Sequence, residues 1–100
     1  MTVTKEKDGN ILTVTIEGEV DAKTAPQLRE EMEGELDDVM EVYFDLKDCT
    51  YTSSAGLRVF LGAYQILEEK DGRMVLRGVN DAFYDILETT GFTDFLEIER

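Results

Sequence analysis

Four hydroxyl side chains lie close together near the middle of the chain, in residues 50–54: Thr50, Thr52, Ser53 and Ser54. They follow a short apolar run, residues 42–46, and precede a segment whose apolar residues recur at helical spacing. The hydroxyls therefore lie where a strand leads into a helix. The amino terminus of a helix offers unpaired N–H groups and the positive end of a dipole, which favour an added anion such as a phosphoryl group.

The sequence offers these hydroxyls no base that would turn one of them into a nucleophile. It contains no histidine, which removes any Ser–His pair and the commonest zinc ligand. A Gly-x-Ser-x-Gly elbow is absent because Thr52 stands where its first glycine would be, and no Gly-x-x-x-x-Gly-Lys-Ser/Thr loop occurs. We therefore predict no catalytic residue, no metal and no cofactor, and we disfavour a small hydrolase. A serine here would be the substrate of another enzyme, unless Thr52 or Ser53 is simply a helix N-cap.

The composition limits the fold and the partners. One hundred residues with 42% hydrophobic content predict a single domain over residues 1–100. A net charge of −13 disfavours nucleic acid and anionic membrane surfaces and leaves two alternatives, solubility or attraction to a basic protein face. A single cysteine, Cys49, and a charged amino-terminal segment predict a cytoplasmic protein.

The periodicity predicts strands and helices in the order β-β-α-β-α-β-α-β. Strands at residues 2–7 and 11–16 flank the turn Asp8-Gly9-Asn10, which is typical of a hairpin, and Gly18 is expected to end the second strand. The run at 42–46 is expected to be buried on both faces and residues 47–51 to form a loop. The alternation predicts an α/β fold with a largely parallel sheet, opened by one hairpin.

The helices are predicted from caps and apolar stripes. The first begins at Thr24 with a stripe of Leu28, Met32 and Leu36, and the second buries Leu57 and Phe60. Gly72 is expected to end the second helix in the left-handed conformation. Asn80 and Gly91 are expected to cap the two ends of the third helix.

Several runs together resemble the STAS domain of bacterial anti-sigma factor antagonists: Gly18-Glu19-Val20-Asp21, Thr24-Ala25, Asp45-Leu46 and Tyr51-Thr52-Ser53-Ser54-Ala55-Gly56-Leu57-Arg58-Val59. The resemblance covers essentially the whole chain and implies one domain with a mixed sheet and helices packed against it. It also implies a protein that binds an anti-sigma factor, itself a serine kinase, and so frees a sigma factor. The kinase uses ATP to phosphorylate the antagonist, and a serine phosphatase reverses the modification.

The resemblance also assigns the site. Its phosphoacceptor is a Ser or Thr two residues before a Gly-Leu pair, which gives Ser54 here. The family often has Asp before the acceptor and Ser or Thr after it, where this sequence has Ser53 and Ala55, so Ser53 is a second candidate. The partner contacts expected around the acceptor are the following: Asp21, Thr52, Ser53, Ala55, Gly56 and Arg58. The alternative is a STAS module that is never phosphorylated and acts as a scaffold in a signalling or transporter complex.

Overall fold

The computed structural model describes residues Met1–Arg100, whose strands form one mixed sheet with the order β1-β2-β3-β5-β6 and with β4 paired to β2. Strand β1 is antiparallel to β2 and every other pairing is parallel. The strands are β1 (Thr2–Asp8), β2 (Ile11–Val20), β3 (Glu41–Asp45), β4 (Cys49–Thr52), β5 (Arg73–Arg77) and β6 (Glu97–Ile98). The helices are α1 (Ala25–Met32), α2 (Ser54–Glu69) and α3 (Asp81–Thr89), followed by a 3-10 turn, Phe92–Asp94. The predicted α/β class, mixed sheet and amino-terminal hairpin are confirmed.

The hydrophobic core fills the space between one face of the sheet and the helices. Along β2 the side chains of Leu12, Val14 and Ile16 are fully buried while the residues between them are partly exposed, as expected for a strand covered on one face. The ring of Phe44 on β3 meets that of Phe60 on α2 edge to face, with centroids 5.1 Å apart. The predicted burial of Leu57 and Phe60 is confirmed.

The other face of the sheet carries no helix, so the expectation that β3 is buried on both faces is wrong. Tyr43 lies on this open face, where the guanidinium of Arg77 is 3.9 Å from its ring centroid. Arg73 donates to the Tyr43 hydroxyl at 3.1 Å and pairs with Glu97 on β6. These long side chains cover Val75, which is fully buried, because polar residues can shield an apolar side chain with their hydrocarbon stems.

Strand β2 is longer than predicted, and an extra strand pairs with its last residues. Gly18 does not end β2, because its φ of 104° accommodates an irregularity in the register and the strand continues to Val20. Cys49–Thr52, expected to lie in and just after a loop, forms β4 in parallel register with this extension. The observed order is therefore β-β-α-β-β-α-β-α-β.

The helix ends follow the predictions in part. Asn80 accepts a hydrogen bond from Phe83 N–H at 2.7 Å, and Gly91 is left-handed, which confirms both caps of α3. At the end of α2 the left-handed residue is Asp71, not Gly72, whose Cβ would come within 2.7 Å of the Met40 carbonyl oxygen. Helix α1 ends at Met32, before Leu36, although Leu36 is buried in the following turns. None of the three helices has the length and apolar composition needed to span a bilayer.

Candidate functional site at the start of helix α2

Strands β2 and β4 bring the predicted site residues together. Val20 and Thr52 are partners at the end of the parallel pair, so the next residues, Asp21 and Ser53, leave the sheet side by side. The Ser53 N–H donates to the Val20 carbonyl at 2.9 Å and extends the pairing by one bond. The start of α1 and the start of α2 consequently lie next to each other at the carboxyl edge of the sheet. The junction surface is defined here by its residues: Asp21, Ser53, Ser54, Ala55 and Arg58.

Thr52 and Gly56 lie beneath the junction surface. Thr52 has no exposed area, and its hydroxyl donates to the Ser53 carbonyl at 3.2 Å. Gly56 is buried too. The position requires glycine, because a Cβ there would overlap Thr52 Oγ1 and stand 2.6 Å from the Val20 carbonyl oxygen. Both residues were expected among the partner contacts, and their burial instead gives them a supporting position. They allow the first turn of α2 to pack directly against the ends of β2 and β4.

The two candidate phosphoacceptors differ in the exposure of their hydroxyls. Ser54 is the first residue of α2 and is exposed. Ser53 occupies the N-cap position with extended backbone angles (φ −100°, ψ 178°), but its Oγ makes no cap hydrogen bond. That Oγ is buried and has no hydrogen-bond partner at all. Accessibility therefore favours Ser54, and the N-cap interpretation accounts for the position of Ser53 but not for its hydroxyl.

Asp21 organises the start of α1 and keeps a charge on the junction surface. Its carboxylate accepts hydrogen bonds from the backbone N–H groups of Thr24 at 3.1 Å and Lys23 at 2.9 Å. These bonds, with that of Thr24 the largest cause, lower the pKa of Asp21. The prediction that the Thr24 side chain caps α1 is wrong, because its hydroxyl makes no cap hydrogen bond. Its hydroxyl instead donates to the Glu19 carbonyl at 2.7 Å and accepts from the Asp21 N–H.

Arg58 is exposed on α2, one helical turn after Ser54. None of the ion pairs in the structure includes Arg58, although the chain has 23 acidic residues. The first turn of α2 also lacks an acidic residue. The junction surface therefore combines an exposed hydroxyl, an uncompensated helix amino terminus and an unpaired guanidinium.

Two features beside the junction surface were not predicted from the sequence. A cleft of about 390 Å³ separates α1 from α2 and runs from Arg58 past Gly62 to Ile66, whose side chain is 48% exposed. Tyr51 on β4 is 44% exposed next to the hydroxyl cluster. The sequence signal for the cleft is Gly62, a glycine inside a helix. Packing does not require a glycine there, since a Cβ on Gly62 would meet nothing within 4 Å.

Two further groups belong to β4 or contact it. Asn80 donates from its amide nitrogen to the Thr50 carbonyl at 3.4 Å and so ties α3 to β4. Cys49 is fully buried, and burial raises the pKa of its thiol to about 11. No group of three or more His, Cys, Asp or Glu side chains is arranged to hold a metal ion.

The STAS domain family model matches residues 2–100. The chain belongs to the STAS domain family. The anti-sigma-B factor antagonist of Listeria monocytogenes is 34% identical to it over 97 residues, covering 96% of this chain and 85% of the relative. The anti-sigma-B factor antagonist of Bacillus subtilis is 29% identical over 93 residues, covering 93% of this chain and 85% of the relative. Both relatives are regulatory proteins by name.

Solved structures share the STAS fold at low identity. A STAS domain protein from Planctomyces limnophilus superposes with a TM-score of 0.88 at 11% identity, covering 97% of this chain and 88% of the other. SpoIIAA of Bacillus, in its phosphorylated form, gives a TM-score of 0.76 at 17% identity, covering 97% of this chain and 90% of the other. These similarities establish the fold of the STAS family for this chain.

Proposed function

We propose that this STAS domain is an anti-sigma factor antagonist that binds an anti-sigma factor through the junction surface and is released when Ser54 is phosphorylated. The observation that carries the proposal is the exposed hydroxyl of Ser54 at the first position of α2. It has the spacing from Gly56-Leu57 that the family's phosphoacceptor has. The names of the Listeria and Bacillus relatives support the antagonist role. The phosphorylated form of SpoIIAA supports regulation on this fold.

The mechanism is electrostatic and steric. Phosphorylation adds a charge of about −1.5 to −2 and three strong acceptor oxygens to Ser54. The group emerges at the centre of the junction surface, so a docked partner meets new bulk and new charge there. Leaving one charge buried and unpaired in an interface costs about 3 to 5 kcal/mol, and about 1.4 kcal/mol changes the affinity tenfold. One modification is therefore sufficient to release the partner.

The proposed switch requires two protein partners, an anti-sigma factor with kinase activity and a phosphatase. The anti-sigma factor is also the serine kinase and uses ATP to modify Ser54, and a serine phosphatase restores the binding form. The net charge of −13 suits a partner with basic groups around the junction surface, because opposite charges accelerate association. The partner atoms that face Ser54 itself are close-packed or acidic in this proposal, so that an added anion there is unfavourable.

One observation favours a second candidate function. The position before the acceptor is Ser53, with a buried hydroxyl, where the family often has an Asp that could help to present the acceptor to a kinase. A STAS module that is never phosphorylated and acts as a scaffold in a larger complex would fit this difference.

The two candidates are separated by phosphate incorporation. The purified chain is incubated with ATP and each anti-sigma factor of the source organism, and its intact mass is measured. We expect the wild type and Ser53→Ala to gain the mass of one phosphoryl group and Ser54→Ala to gain none. In a pull-down, Ser54→Ala retains the anti-sigma factor and Ser54→Asp loses most of it.

The outcomes that contradict the proposal are distinct. Binding without any phosphate incorporation supports the scaffold alternative. Labelling that is lost in Ser53→Ala and kept in Ser54→Ala moves the acceptor by one residue. Ser53→Asp serves as the matched control for charge, since it places a carboxylate next to the acceptor but not on it.

A further inference from the structure

We infer that the guanidinium of Arg58 is the intramolecular partner of the phosphoryl group on Ser54, so that phosphorylation both adds an anion and withdraws a cation from the junction surface. The inference deepens the proposed function and rests on its assignment of Ser54 as the modified residue. Arg58 is a positioning residue, because it binds the phosphoryl group on Ser54 and takes no part in the phosphorylation reaction.

The helix geometry places the two side chains together. Ser54 and Arg58 are four residues apart on α2 and both are exposed, so they lie on the same face one turn apart. Side chains on a helix lean towards its amino terminus, which directs the long Arg58 chain back over Ser54. An anion four residues before a cation is also the favourable order for an ion pair along a helix.

Arg58 is free to make this contact because no carboxylate lies within ion-pair distance of it, although Glu30, Glu33 and Asp37 line the same cleft. Arg73, Arg77 and Arg100 each form an ion pair, whereas Arg58 forms none. The first turn of α2 contains no acidic residue, so no carboxylate of that turn neutralises the helix end before phosphorylation. A guanidinium can bind phosphoryl oxygens in a bidentate manner, which makes it a better partner for this group than a lysine.

A second group at the helix start is also available to the phosphoryl oxygens. The first-turn N–H groups of α2 receive no side-chain cap. The modified residue therefore finds donors on this chain from both the helix end and Arg58.

The consequence for the switch is an exchange of partners at Arg58. In the unmodified protein the exposed guanidinium is available to a carboxylate of the anti-sigma factor. In the phosphorylated protein the same guanidinium is engaged by the group on Ser54. The partner then loses a favourable contact in addition to meeting a repulsive one.

The test uses protein in which phosphoserine is encoded genetically at position 54, so that no kinase is needed. The pKa of the phosphoryl group is measured by ³¹P NMR titration in the wild type, Arg58→Gln and Arg58→Lys. A free phosphoserine has a second pKa of about 6, and an exposed ion pair lowers such a value by roughly 0.2 to 0.7 units. We expect Arg58→Gln to raise the pKa by this amount and Arg58→Lys to recover part of the difference.

Three controls make the outcome specific. Arg77→Gln removes the same charge from the open face of the sheet and should leave the phosphoryl pKa unchanged. Salt at 1 M, where the Debye length is about 3 Å, should shrink the difference between wild type and Arg58→Gln. The Arg58 Nε–H resonance should shift on phosphorylation of the wild type.

Equal phosphoryl pKa values in wild type and Arg58→Gln, with an unmoved Arg58 resonance, would overturn the inference. That result would leave the proposed function intact, because the phosphoserine is encoded and its acceptor is tested separately by labelling. Failure of the kinase to label Ser54 would remove the proposed function without affecting the ³¹P measurement.

Discussion

Replacing Gly56 by alanine tests whether close packing at the start of α2 builds the junction surface. The added Cβ would overlap Thr52 Oγ1 and stand 2.6 Å from the Val20 carbonyl oxygen and 2.8 Å from Val20 Cγ1. Real Cβ atoms do not approach other atoms so closely, and both neighbours are fully buried. The first turn of α2 must therefore shift away from β2 and β4.

The expected magnitude follows from two opposing effects. Alanine is favoured over glycine inside a helix by about 1 kcal/mol. Forcing an extra carbon into a packed site typically costs about 1 to 3 kcal/mol, and the neighbours here include a backbone oxygen that cannot rotate away. We expect the upper end of that range, and thus a net loss of about 2 kcal/mol in the free energy of unfolding.

Gly62→Ala is the matched control in the same helix. A Cβ at Gly62 meets nothing within 4 Å, so only the helix preference acts and the variant should gain about 1 kcal/mol. Urea denaturation of the two variants and the wild type measures these changes. In a domain of this size 1 kcal/mol moves the melting temperature by roughly 4 to 8 °C, so the two variants should shift in opposite directions.

Close packing at Gly56 is refuted if Gly56→Ala is as stable as the wild type or gains stability as Gly62→Ala does. Such a result would mean that the first turn of α2 has room against β2. If Gly56→Ala is destabilised as expected, the folded variant should also bind the anti-sigma factor more weakly, because Ser54 moves with the first turn.

Two further predictions concern groups near the same end of the sheet. Asn80→Ala removes the side-chain cap of α3 and should lower the free energy of unfolding, measured by urea denaturation, by about 1 kcal/mol. Asn80→Asp should restore most of this loss. An alanine variant as stable as the wild type would contradict the cap. Cys49 should react with a thiol reagent at pH 8 roughly 100-fold more slowly in the native protein than in urea, because burial raises its pKa to about 11 and shields the sulfur. As the chain has one cysteine, the reaction reports this site alone, and equal rates would show that the thiol is accessible.

Local sequence signals predicted the elements that they determine locally. The Asp8-Gly9-Asn10 turn forms the expected hairpin because Gly9 adopts a left-handed conformation, with a φ of 62°. The apolar stripe of α2 and the side chain of Asn80 are likewise decided by residues three or four positions apart. Such features depend on neighbours in the chain, so the sequence displays them directly.

Features that depend on distant partners were not predicted. Cys49–Thr52 is only four residues long and becomes a strand because the end of β2 offers it a partner some thirty residues away. Tyr43 was expected to be buried because its neighbours are apolar, yet no helix covers its face of the sheet. In both cases the tertiary arrangement decided the outcome, which short-range patterns do not encode.

The candidate site likewise has features that the sequence predicted and features that it did not. The motif around Gly56-Leu57 selects Ser54 through a family resemblance, and the exposure of Ser54 agrees with that choice. The burial of Thr52 and Gly56 could not be seen in the motif, because it arises where α2 meets β2. A residue can thus belong to a functional motif for its role in packing and not for contact with a partner.

Ser53 shows how the fold bears on the switch itself. An Asp at this N-cap position would accept hydrogen bonds from the first turn of α2 and neutralise the helix end. Ser53 does neither, because its hydroxyl is buried and unpartnered. A phosphoryl group on Ser54 would therefore be the first anion within the first turn of α2. Its charge would be stabilised within the chain by the helix dipole, whereas burying it against a docked partner would be unfavourable, which is the asymmetry that a reversible switch requires.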